Sequence, residues 1–310
     1  MKGIYKSDNA GESWYPIDAD QKMIYTYFKR LFRSPFDPNS FFVTTSGGGV
    51  FKANLDEDKL KAIEGFQGQY VTAVTFEAPS LNQNSPRILV GTRENGIFQG
   101  NIPVKEFRQL NTGLAYREVN TVLAHADYLY AGTIQGIFRW NPKSGKWSDF
   151  SDGINNKNIL SICAPTGRDL IFAGSGAYDG KKGRFQEISP LYRSKAGKAW
   201  EPIDTGCPEG TIVYSIVISP KAADHIYIGT SNGVYRSTNG GDTWSNVNKG
   251  LGKGVKVFKV EIMKVENGEN VICIATSRGI FMANDAEKIS WRSKSYGLPR
   301  TAVTDVILIR

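Results

Sequence analysis

The chain of 310 residues has few of the side chains on which most enzyme chemistry depends. It contains only two histidines, His125 and His225, and three cysteines. No Cys-x-x-Cys pair and no Cys/His pair with zinc spacing occurs. Histidine-based catalysis therefore has few routes. This scarcity favours a protein without catalytic residues, without a cofactor and without a metal.

The odd number of cysteines argues against a disulfide framework. Cys163 and Cys273 lie in apolar patterns typical of strands, whereas Cys207 lies in a Gly-Cys-Pro turn. We interpret all three as buried or unreactive thiols. The alternative is a disulfide or a reactive thiol.

Long hydrophobic runs are also missing. No stretch approaches the ~18 apolar residues that a membrane-spanning helix needs, so the sequence predicts no membrane insertion. Residues 1–8 contain no apolar signal region. Because the repeat pattern starts partway through a unit, we expect an extracytoplasmic location if the chain has been trimmed, and a cytoplasmic one otherwise.

The charge is positive but dispersed. A formal net charge of +8 favours acidic partners or surfaces. Basic residues form only short clusters, such as Lys181-Lys182-Gly183-Arg184. A nucleic-acid binder of this size usually concentrates its cations in one stripe with interleaved aromatic residues. The pattern therefore argues against a nucleic-acid partner.

The most informative pattern that is present is a triplet of glycine, a β-branched residue and an aromatic residue. Its copies are Gly3-Ile4-Tyr5, Gly49-Val50-Phe51, Gly96-Ile97-Phe98, Gly136-Ile137-Phe138, Gly233-Val234-Tyr235 and Gly279-Ile280-Phe281. A seventh copy, Pro190-Leu191-Tyr192, has lost the glycine. The spacing of roughly 40 to 54 residues is typical of repeat architectures.

One repeat unit is clearest over residues 210–249. Residues 211–218 alternate and are apolar enough for a strand that is buried on both faces. Residues 225–230 and 234–237 predict a second and a third strand, and residues 244–247 a fourth. Four antiparallel strands followed by a short link are the pattern of a β-propeller blade.

The same order of elements recurs along the chain. Further inner strands are predicted at residues 24–29, 71–76, 119–124, 159–164 and 255–260. Links such as Thr112-Gly113-Leu114 and Asp152-Gly153-Ile154 follow the fourth strands. No helical period of useful length occurs, so the sequence predicts an all-β protein.

The repeat count predicts a single domain over residues 1–310, folded as a seven-bladed β-propeller. The predicted blades are 20–66, 67–112, 113–152, 153–206, 207–249, 250–296, and 297–310 together with 1–19. Residues 301–310 have the pattern of an inner strand, and residues 3–17 that of a third and a fourth strand. Pairing of these N- and C-terminal strands in one blade would close the propeller and remove exposed sheet edges.

Polar turns separate the third and fourth strands. Residues 237–244 read Ser-Thr-Asn-Gly-Gly-Asp-Thr-Trp, and residues 7–14 are a second copy; residues 194–200 are a shortened third and residues 141–147 a decayed fourth. The turn residues that we single out are Ser7, Asn9, Gly11, Trp14, Ser194, Gly197, Trp200, Ser237, Asn239, Gly241 and Trp244. Their short polar side chains can bond turn amides, their glycines accept a positive φ, and each tryptophan is expected to pack back onto its blade. These residues are predicted to be structural.

The turns resemble the Asp-box, or BNR, turn Ser-x-Asp-x-Gly-x-Thr-Trp. The whole chain is similar to the BNR/Asp-box repeat β-propeller superfamily, which includes sialidases, xyloglucanases, sortilin-type receptors and photosystem II assembly factors. Residues 34–39 and 229–244 most resemble the photosystem II assembly/stability-factor group and its bacterial relatives. The resemblance implies the fold and a protein-assembly role, although not a photosynthetic one.

The resemblance to enzymes of this superfamily implies catalytic residues in a pattern that this chain does not show. Residues 32–35, Phe-Arg-Ser-Pro, are similar to a sialidase signature, but we interpret them as an inner strand that runs into a turn. Xyloglucanase-like enzymes place paired acidic residues between two propellers. Asp37, Asp127 and Asp224 instead fall at separate predicted turns.

The links and the connections between second and third strands are predicted to gather at one face, where binding residues concentrate on such scaffolds. The predicted partner-binding residues of these connections are Arg93, Arg117, Lys157, Lys253, Arg278 and Arg300. Arginine can form bidentate bonds with carboxylates. The alternative is ordinary solvated charge on polar loops.

An insertion over residues 174–189 interrupts the fourth blade on that same face. Its residues Tyr178, Lys181, Lys182 and Arg184 mix an aromatic ring with basic groups, as an interaction hairpin would. Insertions that interrupt a repeat often map to binding loops. The alternative is a tolerated extra hairpin.

From these patterns we expect a non-enzymatic interaction or assembly module, a monomer, that binds a protein or an acidic peptide around the central channel. The second hypothesis is a carbohydrate-active module that binds an anionic glycan or cleaves one. Convergent carboxylates would favour cleavage, and a basic face poor in carboxylates would favour binding.

Overall fold

The structure is a computed structural model that describes residues 3–17, 27–55, 59–66, 68–78, 85–104, 106–176, 189–265 and 269–309. Within these ranges the chain consists of short antiparallel strands and turns, without a helix. None of the described residues belongs to a helix that could cross a membrane. The all-β prediction is confirmed for these residues.

The chain divides into two compact units, which are described separately. Unit 1 comprises Met1–Ser7, Trp14–Asp149 and Ile309–Arg310. Unit 2 comprises Asp8–Ser13 and Phe150–Leu308.

Three four-stranded sheets and one two-stranded sheet lie in unit 1. Their strands are β1 (Tyr5–Lys6), β2 (Tyr15–Pro16), β3 (Tyr27–Arg33), β4 (Ser40–Ser46), β5 (Val50–Asn54), β6 (Lys59–Ala62), β7 (Val71–Glu77), β8 (Arg87–Thr92), β9 (Ile97–Asn101), β10 (Arg108–Gln109), β11 (Val119–His125), β12 (Tyr128–Thr133), β13 (Gly136–Asn141) and β14 (Lys146–Asp149). Blade 1 is the sheet β3–β6, blade 2 is β7–β10 and blade 3 is β11–β14.

Unit 2 contains three further four-stranded sheets. Their strands are β15 (Ile159–Cys163), β16 (Leu170–Ser175), β17 (Leu191–Lys195), β18 (Glu201–Pro202), β19 (Val213–Ile218), β20 (Ile226–Thr230), β21 (Gly233–Ser237), β22 (Ser245–Asn246), β23 (Val257–Lys264), β24 (Asn270–Thr276), β25 (Gly279–Asn284) and β26 (Arg292–Ser293). Blade 4 is β15–β18, blade 5 is β19–β22 and blade 6 is β23–β26. Antiparallel strands in sequence order are the blades of a β-propeller.

The recurring triplet begins the third strand of each blade, as its position in the sequence predicts. A threonine near the end of the second strand holds the turn in five of the six blades: its hydroxyl donates to the carbonyl of the glycine that opens the triplet, at 2.8 to 3.0 Å. In blade 4, where proline replaces that glycine, the hydroxyl of Ser175 lies 3.2 Å from the carbonyl of Pro190. The seventh copy of the triplet therefore also precedes a third strand.

Apolar residues of neighbouring blades form the core of each unit. In unit 1 one cluster joins blades 2 and 3 through residues such as Leu89 and Val119. In unit 2 another joins blades 5 and 6 through Tyr227 and Ile274. Both faces of the second strands are buried, as in β20 and β24, which explains their nearly continuous apolar sequences. The inner strands β11 and β19 are buried at some positions and partly buried at the others.

Tryptophans at or just before the fourth strands of blades 3, 4 and 6 attach these blades to the link that precedes them. The indole Nε1 of Trp147 donates to the carbonyl of Leu110 at 2.7 Å, and that of Trp291 to the carbonyl of Val247 at 2.6 Å. Trp200 makes the equivalent bond to Phe150 at 2.7 Å. These rings therefore bind the preceding link instead of packing only on their own blade.

The link glycines exist because of these tryptophans. A Cβ on Gly250 would lie 2.3 Å from the carbonyl oxygen of Trp291, and the φ of this glycine is +95°. The same close approach occurs at Gly113 against Trp147. Only glycine satisfies both the short distance and the positive φ.

The blade count is where the structure departs from the sequence. The described residues form six four-stranded blades rather than seven, together with the two-stranded sheet β1–β2. Residues 301–309 form no strand, contrary to the predicted inner strand over 301–310. An inner strand pairs with the second strand of its own blade, and neither described terminus supplies such a strand. The backbone of Val303 bonds instead to the carbonyl of Thr276 at 2.9 Å.

Two predicted inner strands are shifted along the chain. The strand predicted at 24–29 is observed as β3, Tyr27–Arg33, and residues 18–26 lie outside the described part. The strand predicted at 255–260 is observed as β23, Val257–Lys264. The last two residues of the link before β23, Val255 and Lys256, lie within the strand that alternation predicts.

Candidate functional site

Each blade has two chemically different ends. The turns from first to second and from third to fourth strand lie at one end, which we call the turn end. The connections from second to third strand and the links to the next blade lie at the other, which we call the loop end. This separation follows from four antiparallel strands in sequence order.

The tryptophan turns lie at the turn end and have internal hydrogen bonds. The side-chain oxygen of Asn239 accepts from the amide of Thr243 at 2.9 Å, and Asn9 accepts in the same way from Ser13 at 2.9 Å. The hydroxyl of Ser237 accepts from the amide of Gly241, whose φ is +91°. Bonds of this kind stabilise the turn itself and leave little for a ligand.

The remaining turn residues follow the same pattern with variations. The glycines Gly11 and Gly197 have φ of +81° and +65°. Ser194 differs because its hydroxyl donates to the carbonyl of Lys198 at 2.7 Å. Trp244 donates to the carbonyl of Gly241 at 3.1 Å and packs against the core of blades 4 and 5. Ser7 and Trp14 flank the first turn, and Trp14 is half-buried.

The candidate acidic residues also lie at turn ends. The hydroxyl of Ser40 lowers the pKa of Asp37, with further help from Asn39 and Lys52. A hydrogen bond from Arg168, at 2.5 Å, lowers the pKa of Asp224. Carboxylates held ionised by local partners lack the raised pKa that a general acid needs.

Asp127 occupies the corresponding turn of blade 3, between β11 and β12. It belongs to unit 1, as Asp37 does, whereas Asp224 belongs to unit 2. The described contacts bring no two of these three carboxylates together.

The loop end of unit 1 presents Arg93 and Arg117. The guanidinium Nε of Arg93 lies 3.6 Å from the carboxylate of Glu118, and both side chains are largely exposed. The carbonyl of Arg117 accepts from the amide of Gly96 at 3.1 Å, which joins the link to the second-to-third turn. Tyr116, with 43% of its surface exposed, lies beside Arg117. Here the cations alternate with carboxylates, because Glu94 and Glu118 adjoin them in sequence.

The loop end of unit 2 brings Lys253 and Arg278 together. The Nη2 of Arg278 donates to the carbonyl of Lys253 at 3.1 Å, and both residues are exposed. The connections 231–232, 248–256 and 277–278 contain Lys249, Lys253, Lys256 and Arg278 and no carboxylate. These three connections are therefore more strongly cationic than the loop end around Arg93 and Arg117.

An open groove of about 370 Å³ lies at this cationic end. Its lining residues are Asn232, Gly233, Asn248, Leu251, Gly252, Lys253, Gly254 and Val255. We call it the loop-end groove. No acidic side chain lines it.

The two asparagines of the groove hold its walls. The side-chain oxygen of Asn248 accepts from the amide of Val234 at 2.7 Å, and its nitrogen donates to the carbonyl of Asn232 at 3.3 Å. The side-chain nitrogen of Asn232 donates to the hydroxyl of Thr211 at 2.7 Å. These hydrogen bonds hold the connections that form the walls of the groove.

The other predicted binding residues lie apart from the groove or outside the described structure. Lys157 and Arg300 are exposed in links that the groove does not include. Tyr178, Lys181, Lys182 and Arg184 fall within residues 177–188, which lie outside the described residues. Their binding role stays a prediction.

The cysteines are free thiols. Burial raises the pKa of Cys163 to about 11 and raises that of Cys207 and Cys273 as well. Because the thiolate is the reactive form, raised pKa values make these thiols poor nucleophiles at neutral pH. Among the described residues, no group of histidine, cysteine and acidic side chains could hold a metal ion.

Most residues of the groove were not predicted from the sequence. Lys253 was predicted, together with its neighbour Arg278, but Asn232, Asn248 and the glycines of the link were not. A signal was present in residues 250–254, Gly-Leu-Gly-Lys-Gly, where glycine alternates with other residues. Such alternation within a link indicates a special backbone rather than mere flexibility.

A curated protein that is similar to part of this chain is a xyloglucanase from Paenibacillus sp. It is 29% identical over 136 residues, which are 39% of this chain and 13% of the xyloglucanase. The chain thus matches only a small part of that relative's length. No family model matches the chain.

Solved structures similar to the chain are β-propellers of different activities. The extracellular domain of BT4673 from B. thetaiotaomicron, described as a hybrid two component system, aligns with a TM-score of 0.68 and 16% identity over 91% of this chain and 35% of that one. An ancestral GH74 enzyme aligns with a TM-score of 0.54 and 22% identity over 73% of this chain and 31% of its own. The WD40 repeats of RRP9 align with a TM-score of 0.65 and 11% identity, over 91% of this chain and 83% of that one. At these identities the likeness establishes the propeller fold alone.

Proposed function

We propose that this chain is a β-propeller interaction module of the BNR/Asp-box type that binds an acidic protein segment at its loop end. The observation that carries the proposal is the loop end of unit 2, where Lys253 lines a groove without acidic side chains and Lys249, Lys256 and Arg278 lie in the same set of connections. Like charge of this density attracts a partner of opposite charge.

Several features support a binding role over catalysis. The candidate carboxylates lie at turn ends, and the pKa values of Asp37 and Asp224 are lowered by local hydrogen bonds. The solved propellers that resemble the chain include an extracellular sensor domain. Likeness in style to photosystem II assembly factors points to the same class of function.

The proposal also includes the type of the tryptophan turns and the number of blades. The side-chain oxygens of Asn9 and Asn239 each accept a bond from the amide four residues later, which supports an Asp-box type of turn with asparagine in place of aspartate. A seventh blade that uses both termini, with one monomeric domain, remains our expectation from the repeat count.

The test is a peptide array that compares acidic, neutral and basic segments. We expect acidic segments to bind preferentially, and binding to weaken as salt screens the charges. Lys253→Glu combined with Arg278→Glu should abolish the preference. Lys221→Glu is the matched control, because Lys221 is exposed at the turn end of blade 5. Equal binding by both variants would overturn the proposal.

A glycan-active module is the second candidate. It is favoured by the 29% identity with a xyloglucanase over 136 residues and by the GH74 neighbour. A glycan array and a reducing-sugar assay on xyloglucan test it directly. Turnover by the intact chain that is lost on changing an acidic residue would favour this candidate over peptide binding.

A further inference from the structure

We propose that the backbone of residues 250–254 forms an oxyanion site that takes a phosphate or sulfate monoester carried by a protein segment. The proposal rests on the proposed function, because it names the chemical group that the loop-end groove recognises. We call residues 250–254, Gly-Leu-Gly-Lys-Gly, the glycine loop.

The first observation is the alternating backbone of the glycine loop. Gly250, Gly252 and Gly254 have φ of +95°, +79° and +69°, whereas Leu251 and Lys253 between them do not have positive φ. Turns that contain left-handed residues can direct successive amides toward one concavity. Such concavities bind anions.

The second observation is that the amides of this loop have no internal acceptor. Within the described part of the chain, the N–H groups of Gly252, Lys253 and Gly254 make no hydrogen bond to another residue. The preceding amide, of Leu251, is satisfied by the carbonyl of Asn248 at 3.0 Å. Three consecutive donors thus remain for water or a ligand at the wall of the groove.

The third observation is the charge at the groove. Lys253 supplies an ammonium between two of the free amides, and no carboxylate lines the space. Main-chain donors combined with one lysine favour an anion with several acceptor oxygens. A tetrahedral monoester offers three such oxygens, whereas a carboxylate offers two.

Arg278 positions this loop rather than contacting the anion. Its guanidinium holds the carbonyl of Lys253 at 3.1 Å, and it does not line the groove. Because the peptide unit is planar and trans, a carbonyl turned toward Arg278 turns the N–H of Gly254 to the opposite side. A Cβ on Gly252 would lie 3.1 Å from Nη1 of Arg278, so the guanidinium also packs against the loop.

The link between blades 5 and 6 differs from the links that precede β11 and β15. The first residues of β11, β15 and β23 are equivalent, because each precedes the same register shift in its strand. From its glycine to that residue, the link ending at Val257 is one residue longer than those ending at Val119 and Ile159. Each of the two shorter links contains only its first glycine. Among the three links, only the one ending at Val257 has the additional residue and the two additional glycines, Gly252 and Gly254.

The test uses inorganic phosphate and inorganic sulfate as probes, followed by amide NMR spectroscopy of the full chain. We expect either anion to shift the amide resonances of Gly252, Lys253 and Gly254 at millimolar concentration. Lys253→Met should weaken the apparent affinity about tenfold, as expected for loss of one charge-assisted bond.

Gly254→Ala tests the backbone conformation without a clash. No atom lies within 4 Å of the added Cβ, but the φ of +69° is unfavourable for alanine. Gly210→Ala is the matched control, with a φ of +72° and equally open space away from the loop. The proposal requires weaker anion binding in Gly254→Ala and unchanged binding in Gly210→Ala, at similar thermal stability.

A second set of probes distinguishes the source of the anion. Peptides of one sequence that carry phosphoserine, sulfotyrosine or glutamate are compared by fluorescence anisotropy. Tighter binding of either ester than of glutamate, dependent on Lys253, supports the site and identifies the ester. If phosphate and sulfate leave the three amide resonances unchanged, or if the variants bind them equally, the oxyanion site is wrong. Persistent charge-dependent binding of the glutamate peptide would then leave the proposed function standing.

Discussion

At the scale of single residues, the link glycines have the clearest physical role. Gly250 combines a φ of +95° with a distance of only 2.3 Å between the position that a Cβ would take and the carbonyl oxygen of Trp291. Gly210 has a similar φ of +72° but open space around it. Alanine substitutions at these two glycines therefore separate the free-energy cost of a positive φ from the cost of the close contact.

We therefore predict that Gly250→Ala destabilises the protein more than Gly210→Ala does. The control should lose about 1 kcal/mol of unfolding free energy, the cost of a left-handed alanine. Gly250→Ala should lose a further 1–3 kcal/mol, roughly the cost of forcing an atom into occupied space. Urea denaturation measures both. Equal losses would show that the tryptophan contact is not tight.

A second residue-scale prediction concerns Asp285 and acid stability. Burial acts to raise its pKa, but hydrogen bonds from Tyr227, Asn270 and Ser219 outweigh burial and lower the pKa below its ordinary value of 3.8. The hydroxyl of Tyr227 donates to the carboxylate at 2.5 Å. Because the folded-state pKa is lowered, the ionised group stabilises the fold above pH 3.8, and this contribution is lost as the pH falls through the folded-state pKa.

Tyr227→Phe should accordingly lower the unfolding free energy at neutral pH by about 1.5–3 kcal/mol, the usual value for a bond to a charged group. The difference from the unaltered chain should shrink as the pH falls below 3.8. Tyr235→Phe is the control, because the hydroxyl of Tyr235 lies beside Cys207 and not beside a carboxylate. A pH-independent difference for Tyr227→Phe would contradict the assignment.

At the scale of strands and turns, the tryptophans fall into two groups. Trp291 is buried and its indole bonds to Val247 in the preceding link at 2.6 Å. Trp244 is half-buried and its indole bonds to Gly241 within its own turn at 3.1 Å. The first group connects blades, whereas the second closes turns.

Trp291→Phe should thus cost more than Trp244→Phe. Both changes remove an indole N–H, but only the first also leaves a gap at a fully buried ring between blades. We expect a difference of about 1–2 kcal/mol in the unfolding free energy. Chemical denaturation followed by circular dichroism checks it. Similar losses would mean that the indole bond to the link contributes little.

The sequence predicted the positions of strands better than it predicted contacts between distant residues. The triplet of glycine, a β-branched residue and an aromatic residue located the third strands, including the copy at Leu191, because burial imposes the same residues at each repeat. Interactions between distant residues could not be predicted in the same way. Alternation does not reveal that Trp291 bonds to the preceding link, or that Asn248 holds the start of a third strand.

The site shows the same limit. Lys253 and Arg278 could be identified from charge in predicted connections, but the groove depends on backbone φ and on amides without acceptors. These properties follow from the extra residue in the link between blades 5 and 6. The last two residues of that link, Val255 and Lys256, were predicted to belong to a strand. The predicted strand over 301–310 failed for a related reason, because apolar alternation does not supply the partner strand.

At the scale of the whole molecule, the C-terminal segment packs onto the fold without forming a strand. Residues 301–309 form no strand, yet Val306 is buried and the amide of Val303 bonds to Thr276 within unit 2. The segment therefore contributes apolar burial in place of a ladder of hydrogen bonds.

We predict that deleting residues 301–310 lowers the melting temperature by roughly 3–8 °C, as expected for one buried aliphatic side chain and one hydrogen bond. Val306→Ala should reproduce much of the loss, and Thr304→Ala, at a position that is not fully buried, should not. Differential scanning calorimetry measures the three variants. Superimposable melts of the truncated and full chains would contradict the prediction.

The tryptophan bonds to preceding links also bear on how the chain is made. A ribosome releases each link roughly one blade before the tryptophan that bonds to it, since Gly250 precedes Trp291 in the same way as Gly113 precedes Trp147. The links that follow blades 2, 3 and 5 thus gain their indole bonds only after the tryptophan of the next blade has been synthesised. The nascent protein should acquire resistance to protease in discrete steps, from the N-terminal blades onward, with the newest blade always the most vulnerable.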